Sequence, residues 1–147
     1  MIQRFQSFVT GISVCYKYIQ KIKSTEMTEF GLKGTHVMCL FFLHHNPVGL
    51  TPVQLTELCA EDKAAISRNI AFLQQKGYIA EGEKRYRAKI HLTDAGKAVA
   101  EKIDALIEQW VAFGGDGLSE EDRTTFYTVL GVIAGNLQER LENPKRD

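Results

Sequence analysis

Residues 51–96 contain the pattern that most constrains the fold of this chain. A short segment with helical periodicity opens at Thr51, a polar turn covers residues 60–62, and a second helical segment spans Lys63–Lys76. Thr51 and Pro52 suit the N-cap and first positions of a helix, and Gly77 suits the left-handed residue that ends one. We therefore expect two short helices joined by a tight turn.

The segment that follows Gly77 is basic and alternates in polarity. One side of the expected hairpin carries Tyr86, Ala88, Ile90 and Leu92, and the other carries Arg85, Arg87, Lys89 and His91. In a strand, such alternation places one set against the helices and the other in solvent, where it can meet phosphate. Two helices followed by a basic hairpin predict a winged helix-turn-helix, a module that reads DNA.

The rest of the chain is predicted to be helical. Apolar residues at intervals of three and four mark an amphipathic helix over about 2–23. The uniformly apolar segment 37–43 fits a buried helix or a buried strand, and its surroundings favour a helix of about Lys33–His45, stopped by Asn46-Pro47.

Two further helices follow the hairpin. Thr93 is expected to cap a helix of about Asp94–Phe113, and a glycine-rich break follows at 114–117. Ser119, with Asp122 three residues later, resembles a capping box and starts a last helix that runs to about Glu142.

The first and last helices carry apolar stripes that the small central module cannot cover, so a second copy of the chain is the expected partner. We expect the dimer interface to include Phe5, Val9, Phe126, Leu130, Ile133 and Leu137. The predicted fold is thus mainly α, a winged helix-turn-helix with long N- and C-terminal dimerisation helices. Residues 33–97 would form the DNA-binding lobe, and residues 1–32 and 98–147 the dimerisation region.

The charge distribution supports a nucleic-acid partner, although the net charge of the chain is zero. Residues 63–97 hold eight cations against three acids, and residues 98–147 hold five cations against ten acids. Positive charge is therefore concentrated on the predicted helix-turn-helix, where phosphates would be neutralised.

Cysteine and histidine spacing indicates no metal site, and no cofactor is expected. Cys15, Cys39 and Cys59 lack CxxC spacing and are an odd number, which fits a reducing cytoplasm better than a disulfide framework. All three are interpreted as core residues. Neighbouring His44 and His45 would point apart on a helix. Segment 1–24 lacks the continuous apolar stretch of a signal peptide, and no run reaches membrane-spanning length.

Four segments, in register, resemble the multiple antibiotic resistance regulator (MarR) family of winged helix-turn-helix transcription regulators. They are Leu55-Thr56-Glu57-Leu58, Asp62-Lys63-Ala64-Ala65-Ile66-Ser67-Arg68, Leu73-Gln74-Gln75-Lys76-Gly77-Tyr78-Ile79 and Leu92-Thr93-Asp94-Ala95-Gly96. The resemblance covers nearly the whole chain. It implies an obligate homodimer on a pseudo-palindromic operator, usually a repressor, often released by a small aromatic or lipophilic effector.

The wing departs from the family pattern in two ways. Lys84-Arg85-Tyr86-Arg87 occupies the tip without the usual aspartate, which leaves open whether Arg85 or Arg87 enters the minor groove. The stretch from Gly77 to Leu92 is also about three residues shorter than is usual, which favours shallower penetration.

The predicted DNA contacts lie on both helices and on the wing. In the second helix, Arg68 suits a guanine edge, Ser67 a base or a phosphate, and Ala64 a thymine methyl group, with Lys63 beside them. Thr51 and Gln54 would meet phosphate or would only cap their helix. The remaining contacts are expected from the wing: Lys84, Arg85, Arg87 and Lys89.

The resemblance also implies an effector cleft where the dimer helices meet the DNA-binding lobe. The candidate lining residues are Phe8, Ile12, Tyr16, His36 and Cys39, all of which also fit ordinary core positions. Cys15 suggests the oxidant-sensing cysteine of some relatives, but it lies well along the first helix, and a buried structural role is favoured.

The sequence contains no catalytic constellation, so an enzyme is not expected. The alternative to a DNA-binding regulator is a winged-helix adaptor that binds protein. An adaptor would not require the basic hairpin or the Ser67-Arg68 pair.

Overall fold

The computed structural model describes residues 1–80 and 88–144, which form six α-helices. They are α1 (Ile2–Glu26), α2 (Gly34–His44), α3 (Pro52–Cys59), α4 (Lys63–Gln75), α5 (Asp94–Gly114) and α6 (Glu120–Glu142), with a 3₁₀ turn at Thr28–Phe30. Every predicted helix is present, and the expected mainly α fold is confirmed. No helix within these ranges is long and apolar enough to cross a membrane.

The chain divides into two compact units, Met1–Leu106 and Ile107–Asp147. The sequence predicts a different division, into a DNA-binding lobe of residues 33–97 and a dimerisation region of residues 1–32 and 98–147. That division concerns how two copies assemble, so it stays a prediction. In the first unit, α2, α3 and α4 pack against one another, and α1 contacts α2. Their shared core is apolar and consists mainly of Met27, Leu32, Val37, Cys39, Leu40, Leu55, Ile66, Leu73, Ile79, Ala100 and Ile103.

The start of α5 is held tightly against the end of α4. The Thr93 hydroxyl donates to the Gly77 carbonyl oxygen at 2.6 Å and accepts from the Gly96 amide at 3.0 Å. The Thr93 amide donates to the Tyr78 carbonyl oxygen at 3.0 Å. Thr93, which the sequence predicts as the cap of α5, therefore also connects the start of α5 to the end of α4.

Helix α1 is longer than predicted and ends at Glu26. The helix continues past the expected end at about Lys23, and two threonine hydroxyls bond back to its carbonyl oxygens in this last part. Thr25 Oγ1 donates to the Lys21 carbonyl oxygen at 3.0 Å, and Thr28 Oγ1 donates to the Ser24 carbonyl oxygen at 2.8 Å. Threonine in this arrangement satisfies its hydroxyl without leaving the helical path.

Two burial predictions were wrong. Cys15, expected in the core, is exposed because α1 buries none of its residues. Cys59 is only half-buried.

In the second unit, α6 also buries none of its residues. Its start matches the sequence prediction, since the Ser119 hydroxyl accepts from the Asp122 amide at 3.1 Å. Arg123 donates to the Gly115 carbonyl oxygen at 2.7 Å, which closes the glycine-rich turn between α5 and α6.

Candidate nucleic-acid interface

Helix α4 is fixed at its N-terminus by the turn that precedes it. The Asp62 carboxylate accepts from the Ala65 amide at 2.7 Å and caps the helix. Ala60, at the end of α3, adopts a left-handed conformation with φ 52°, and the Glu61 amide donates to the Thr56 carbonyl oxygen at 3.2 Å. This geometry gives the two helices the sharp turn of a helix-turn-helix.

The two sides of α4 differ in burial. Ile66, Asn69 and Leu73 are buried against the core. The predicted contact residues Lys63, Ala64, Ser67 and Arg68 are all exposed on the other side. The structure therefore brings the four predicted residues of this helix together on one accessible surface, the recognition face.

Thr51 and Gln54 form a reciprocal cap at the start of α3. The Gln54 amide donates to the Thr51 hydroxyl at 3.3 Å, and the Thr51 amide donates to Gln54 Oε1 at 2.9 Å. Both side chains therefore have a structural role. A phosphate contact from either residue stays a prediction.

The base of the wing is anchored by two antiparallel bridges, Leu50 with Ile90 and Ile79 with Leu92. Ile90 is buried, whereas Lys89 and His91 are exposed, as the alternation predicts. The predicted contacts Lys84, Arg85 and Arg87 lie outside the described residues. Lys89 is thus the predicted wing cation that the structure places.

A cleft of about 450 Å³ opens beside the recognition face, between the start of α2 and one side of α4. Its lining residues are Gly31, Lys33, Thr35, His36, Ala65, Arg68, Asn69 and Phe72. The rings of His36 and Phe72 stack at 4.2 Å between centroids with an interplanar angle of 10°. Among the described residues, the buried Asn69 Nδ2 has no hydrogen-bond partner.

His36 is neutral in this setting. Its Nδ1 accepts from the Lys33 amide at 3.0 Å. Burial lowers the pKa of His36, and the nearby charge of Lys33 lowers it further. The cleft therefore combines a neutral aromatic stack with the cationic side chains of Lys33 and Arg68.

The five predicted effector residues do not line one cavity in the chain. His36 lines the cleft, and Cys39 is buried one turn further along α2. Phe8 is half-buried on α1, and Ile12 and Tyr16 are exposed there. Phe72 and Asn69 were not predicted as site residues, because their spacing in α4 also fits ordinary core positions.

The predicted dimer residues are exposed or half-buried. Phe5, Val9, Phe126 and Leu137 are exposed, and Leu130 and Ile133 are half-buried. Their place in an interface stays a prediction.

The expectation that His44 and His45 point apart was wrong. Nε2 of His44 lies 3.6 Å and Nε2 of His45 lies 3.1 Å from Asp104 Oδ2, because α5 passes beside the end of α2. Within residues 1–80 and 88–144, no group of three histidine, cysteine or acidic side chains is arranged to hold a metal.

Comparisons with known proteins agree with this architecture. Residues 30–85 match the model of the MarR family. No curated protein sequence matches the chain. Among solved structures, a MarR protein from Peptoclostridium difficile is similar with a TM-score of 0.83 and 19% identity, over 95% of this chain and 92% of that one.

Two other solved structures extend the likeness. The transcriptional regulator SlyA is similar with a TM-score of 0.83 and 22% identity, over 94% of this chain and 99% of that one. S. aureus MepR, solved in complex with DNA, is similar with a TM-score of 0.74 and 19% identity, over 87% of this chain and 94% of that one. The match of residues 30–85 to the MarR family model and the shared fold over nearly all of the chain agree with the resemblance drawn from the sequence, and they show that this chain has a winged helix-turn-helix fold similar to that of MarR proteins.

Proposed function

We propose that this protein is a transcription regulator that binds a pseudo-palindromic operator as a homodimer and represses the adjoining gene. The observation that carries the proposal is the recognition face, on which Lys63, Ser67 and Arg68 stand exposed on one capped helix. A helix presented in this way fits the DNA major groove, and its arginine suits a guanine edge. The fold similarity to MepR, which was solved with DNA, supports the same reading.

Each contact element has its own role in the proposal. Arg68 and Ser67 read bases, whereas Lys89 and the other wing cations Lys84, Arg85 and Arg87 neutralise phosphates. Two copies place their recognition helices about 34 Å apart, one turn of DNA, so that each reads one half-site.

The test is titration of labelled DNA from upstream of the protein's own gene at two salt concentrations. We expect Arg68→Ala to weaken operator binding by about 1–3 kcal/mol and to relax sequence preference. We expect Lys89→Ala to weaken binding on every sequence and to flatten the salt slope by about one unit.

Lys21→Ala is the matched control because it removes an exposed cation from α1, away from the recognition face. It should leave operator binding unchanged. Wild-type binding by both Arg68→Ala and Lys89→Ala would refute the assignment and favour a protein-binding adaptor. Loss of reporter expression with the intact protein, and its recovery with Arg68→Ala, tests repression.

We also propose that a small aromatic anion acts as the effector and occupies the cleft beside the recognition face. Lys33 and Arg68 supply positive charge, and the stacked rings of His36 and Phe72 supply an aromatic wall. Because Arg68 also belongs to the recognition face, an anion held by it competes with DNA.

Salicylate and related phenols should therefore release the operator, and Phe72→Leu should weaken that release. If Tyr16→Ala weakens it instead, the effector lies at the cleft expected on α1. If no compound both binds and shifts operator affinity, the protein is regulated by its own abundance.

A further inference from the structure

Two cysteines that are distant in the sequence lie side by side in the first unit. Cys39 Sγ on α2 is 3.9 Å from Cys59 Sγ at the last residue of α3. A disulfide bond is about 2.05 Å long, so the two sulfurs need to approach by roughly 1.9 Å.

The two thiols differ in access and in surroundings. Cys39 is fully buried, whereas Cys59 is half-buried and reachable from solvent. The Lys23 ammonium acts on Cys59 as a neighbouring positive charge, and the Glu61 carboxylate opposes it. A partly exposed thiol beside a cation is the setting in which a cysteine becomes a nucleophile.

The hydrogen bond between the two sulfurs also separates their acidities. The pKa of Cys59 is lowered, first by this hydrogen bond and also by Lys23, although burial and Glu61 act in the opposite direction. The pKa of Cys39 is raised, first by the same hydrogen bond and then by burial. Cys59 is therefore the more acidic of the two thiols and the one that more readily becomes a thiolate.

We propose that Cys39 and Cys59 form an oxidation site for hydroperoxides, in which Cys59 reacts first and an intrachain disulfide with Cys39 follows. The Cys59 thiolate attacks one peroxide oxygen, so that a sulfur–oxygen bond forms, the oxygen–oxygen bond breaks, and the alkoxide leaves and is protonated to an alcohol. The Cys39 sulfur then attacks the Cys59 sulfenic acid. The sulfur–sulfur bond forms, and hydroxide leaves with the Cys39 proton as water.

Both cysteines lie next to residues that position α4, the recognition helix. Cys59 is followed directly by Ala60, Glu61 and the capping residue Asp62, which set the start of α4. On the other side, the Asn69 side chain of α4 lies close to the Cys39 thiol. A disulfide that draws the end of α3 towards α2 therefore displaces the turn before the recognition face. This consequence for DNA rests on the proposed function, whereas the oxidation site itself does not.

The test uses the full chain with Cys15→Ser, which leaves only Cys39 and Cys59 as thiols and removes cross-links through the exposed Cys15. After treatment with cumene hydroperoxide or hydrogen peroxide, mass spectrometry should show the loss of two hydrogens per chain and a Cys39–Cys59 cross-linked peptide, both reversed by dithiothreitol. Adding Cys39→Ser should stop the reaction at a Cys59 sulfenic acid that dimedone traps.

Lys23→Gln should slow the reaction of Cys59, with unchanged circular dichroism as evidence of folding. If Cys39→Ser fails to fold, Cys39→Ala takes its place. Two free thiols that persist under peroxide in the folded protein, or oxidation that attacks Cys39 first, would overturn the site.

DNA affinity is measured on the same samples. We expect oxidation to weaken operator binding by about tenfold or more, within the usual range of coupling between two sites. A disulfide that forms without changing the affinity of a protein that binds DNA when reduced would overturn the coupling. Failure of the reduced protein to bind DNA would overturn the proposed function. The oxidation site would then still be tested by the number of free thiols that remain after peroxide treatment.

Discussion

Ala60 is the non-glycine residue with positive φ among those described, at 52° in the turn before α4. The Cβ of an L-residue is disfavoured there by roughly 1–2 kcal/mol, whereas glycine accepts this conformation and loses more chain entropy on folding. Ala60→Gly should therefore raise the free energy of unfolding in urea by up to about 1 kcal/mol. Ala71→Gly, at an exposed position of α4, is the matched control and should lower it by about 1 kcal/mol. Equal losses in both variants would contradict strain at Ala60.

Gly96 allows the start of α5 to lie close to the backbone of Tyr78. A Cβ at this position would clash with the Tyr78 carbonyl oxygen, which is backbone and cannot turn away. Helix propensity alone would make Gly96→Ala favourable, but we expect the clash to lower the free energy of unfolding by about 2 kcal/mol. The neighbouring exposed residue gives the control, since Lys97→Ala should change it by less than about 0.5 kcal/mol. Stabilisation by Gly96→Ala would show that α5 does not start as close to Tyr78 as described.

At the scale of elements, the start of α2 depends on the protonation of His36. Its Nδ1 accepts from the Lys33 amide, which a protonated imidazole cannot do. Burial, aided by Lys33, lowers the pKa of His36, so folding disfavours the added proton. The stabilisation is complete above the unfolded pKa of about 6.5 and is lost as the pH falls through and below that value.

We therefore expect the free energy of unfolding to decline between pH 7.5 and pH 5 by at most about 1.4 kcal/mol per unit. His36→Gln retains an acceptor for the Lys33 amide and should remove this part of the slope. His91→Gln, at an exposed histidine, should keep it. A slope that survives in His36→Gln would assign the titration to other groups.

The sequence predicted which elements exist because their signals are local. Caps, glycines and apolar spacing place α3 to α6 to within a residue or two, as at Ser119 and Gly77. Met27 and Leu32 were not predicted as core residues, because they lie in a polar or irregular stretch without helical apolar spacing, although both are buried. The Cys39–Cys59 contact and the shared carboxylate of His44 and His45 were missed because both depend on how separate helices pack.

At the scale of the whole molecule, α1 and α6 each present an apolar stripe without a buried residue. Phe5 is 69% exposed and Leu137 is 56% exposed, which is more apolar surface than a stable monomer normally shows. We expect light scattering to give twice 16.6 kDa at micromolar concentration. A stable monomer would refute the homodimer.

Leu137→Asp should dissociate or unfold that dimer, because it would place an unpaired charge in the interface. Val48→Asp makes the same change at an exposed apolar position outside both helices and should leave the mass unchanged. Dissociation by Val48→Asp, or a normal dimer in Leu137→Asp, would move the interface away from α6.

The hydrogen bonds of Thr93 have a consequence for motion. They tie the end of α4 and the start of α5 to one side chain and to the Gly77 and Tyr78 carbonyls. The C-terminal end of α4, the recognition helix, is therefore expected to move together with the start of α5. In native-state hydrogen exchange, the amides of Thr93 and Gly96 should open together as one cooperative unit, and Thr93→Val should allow each helix to exchange at its own rate.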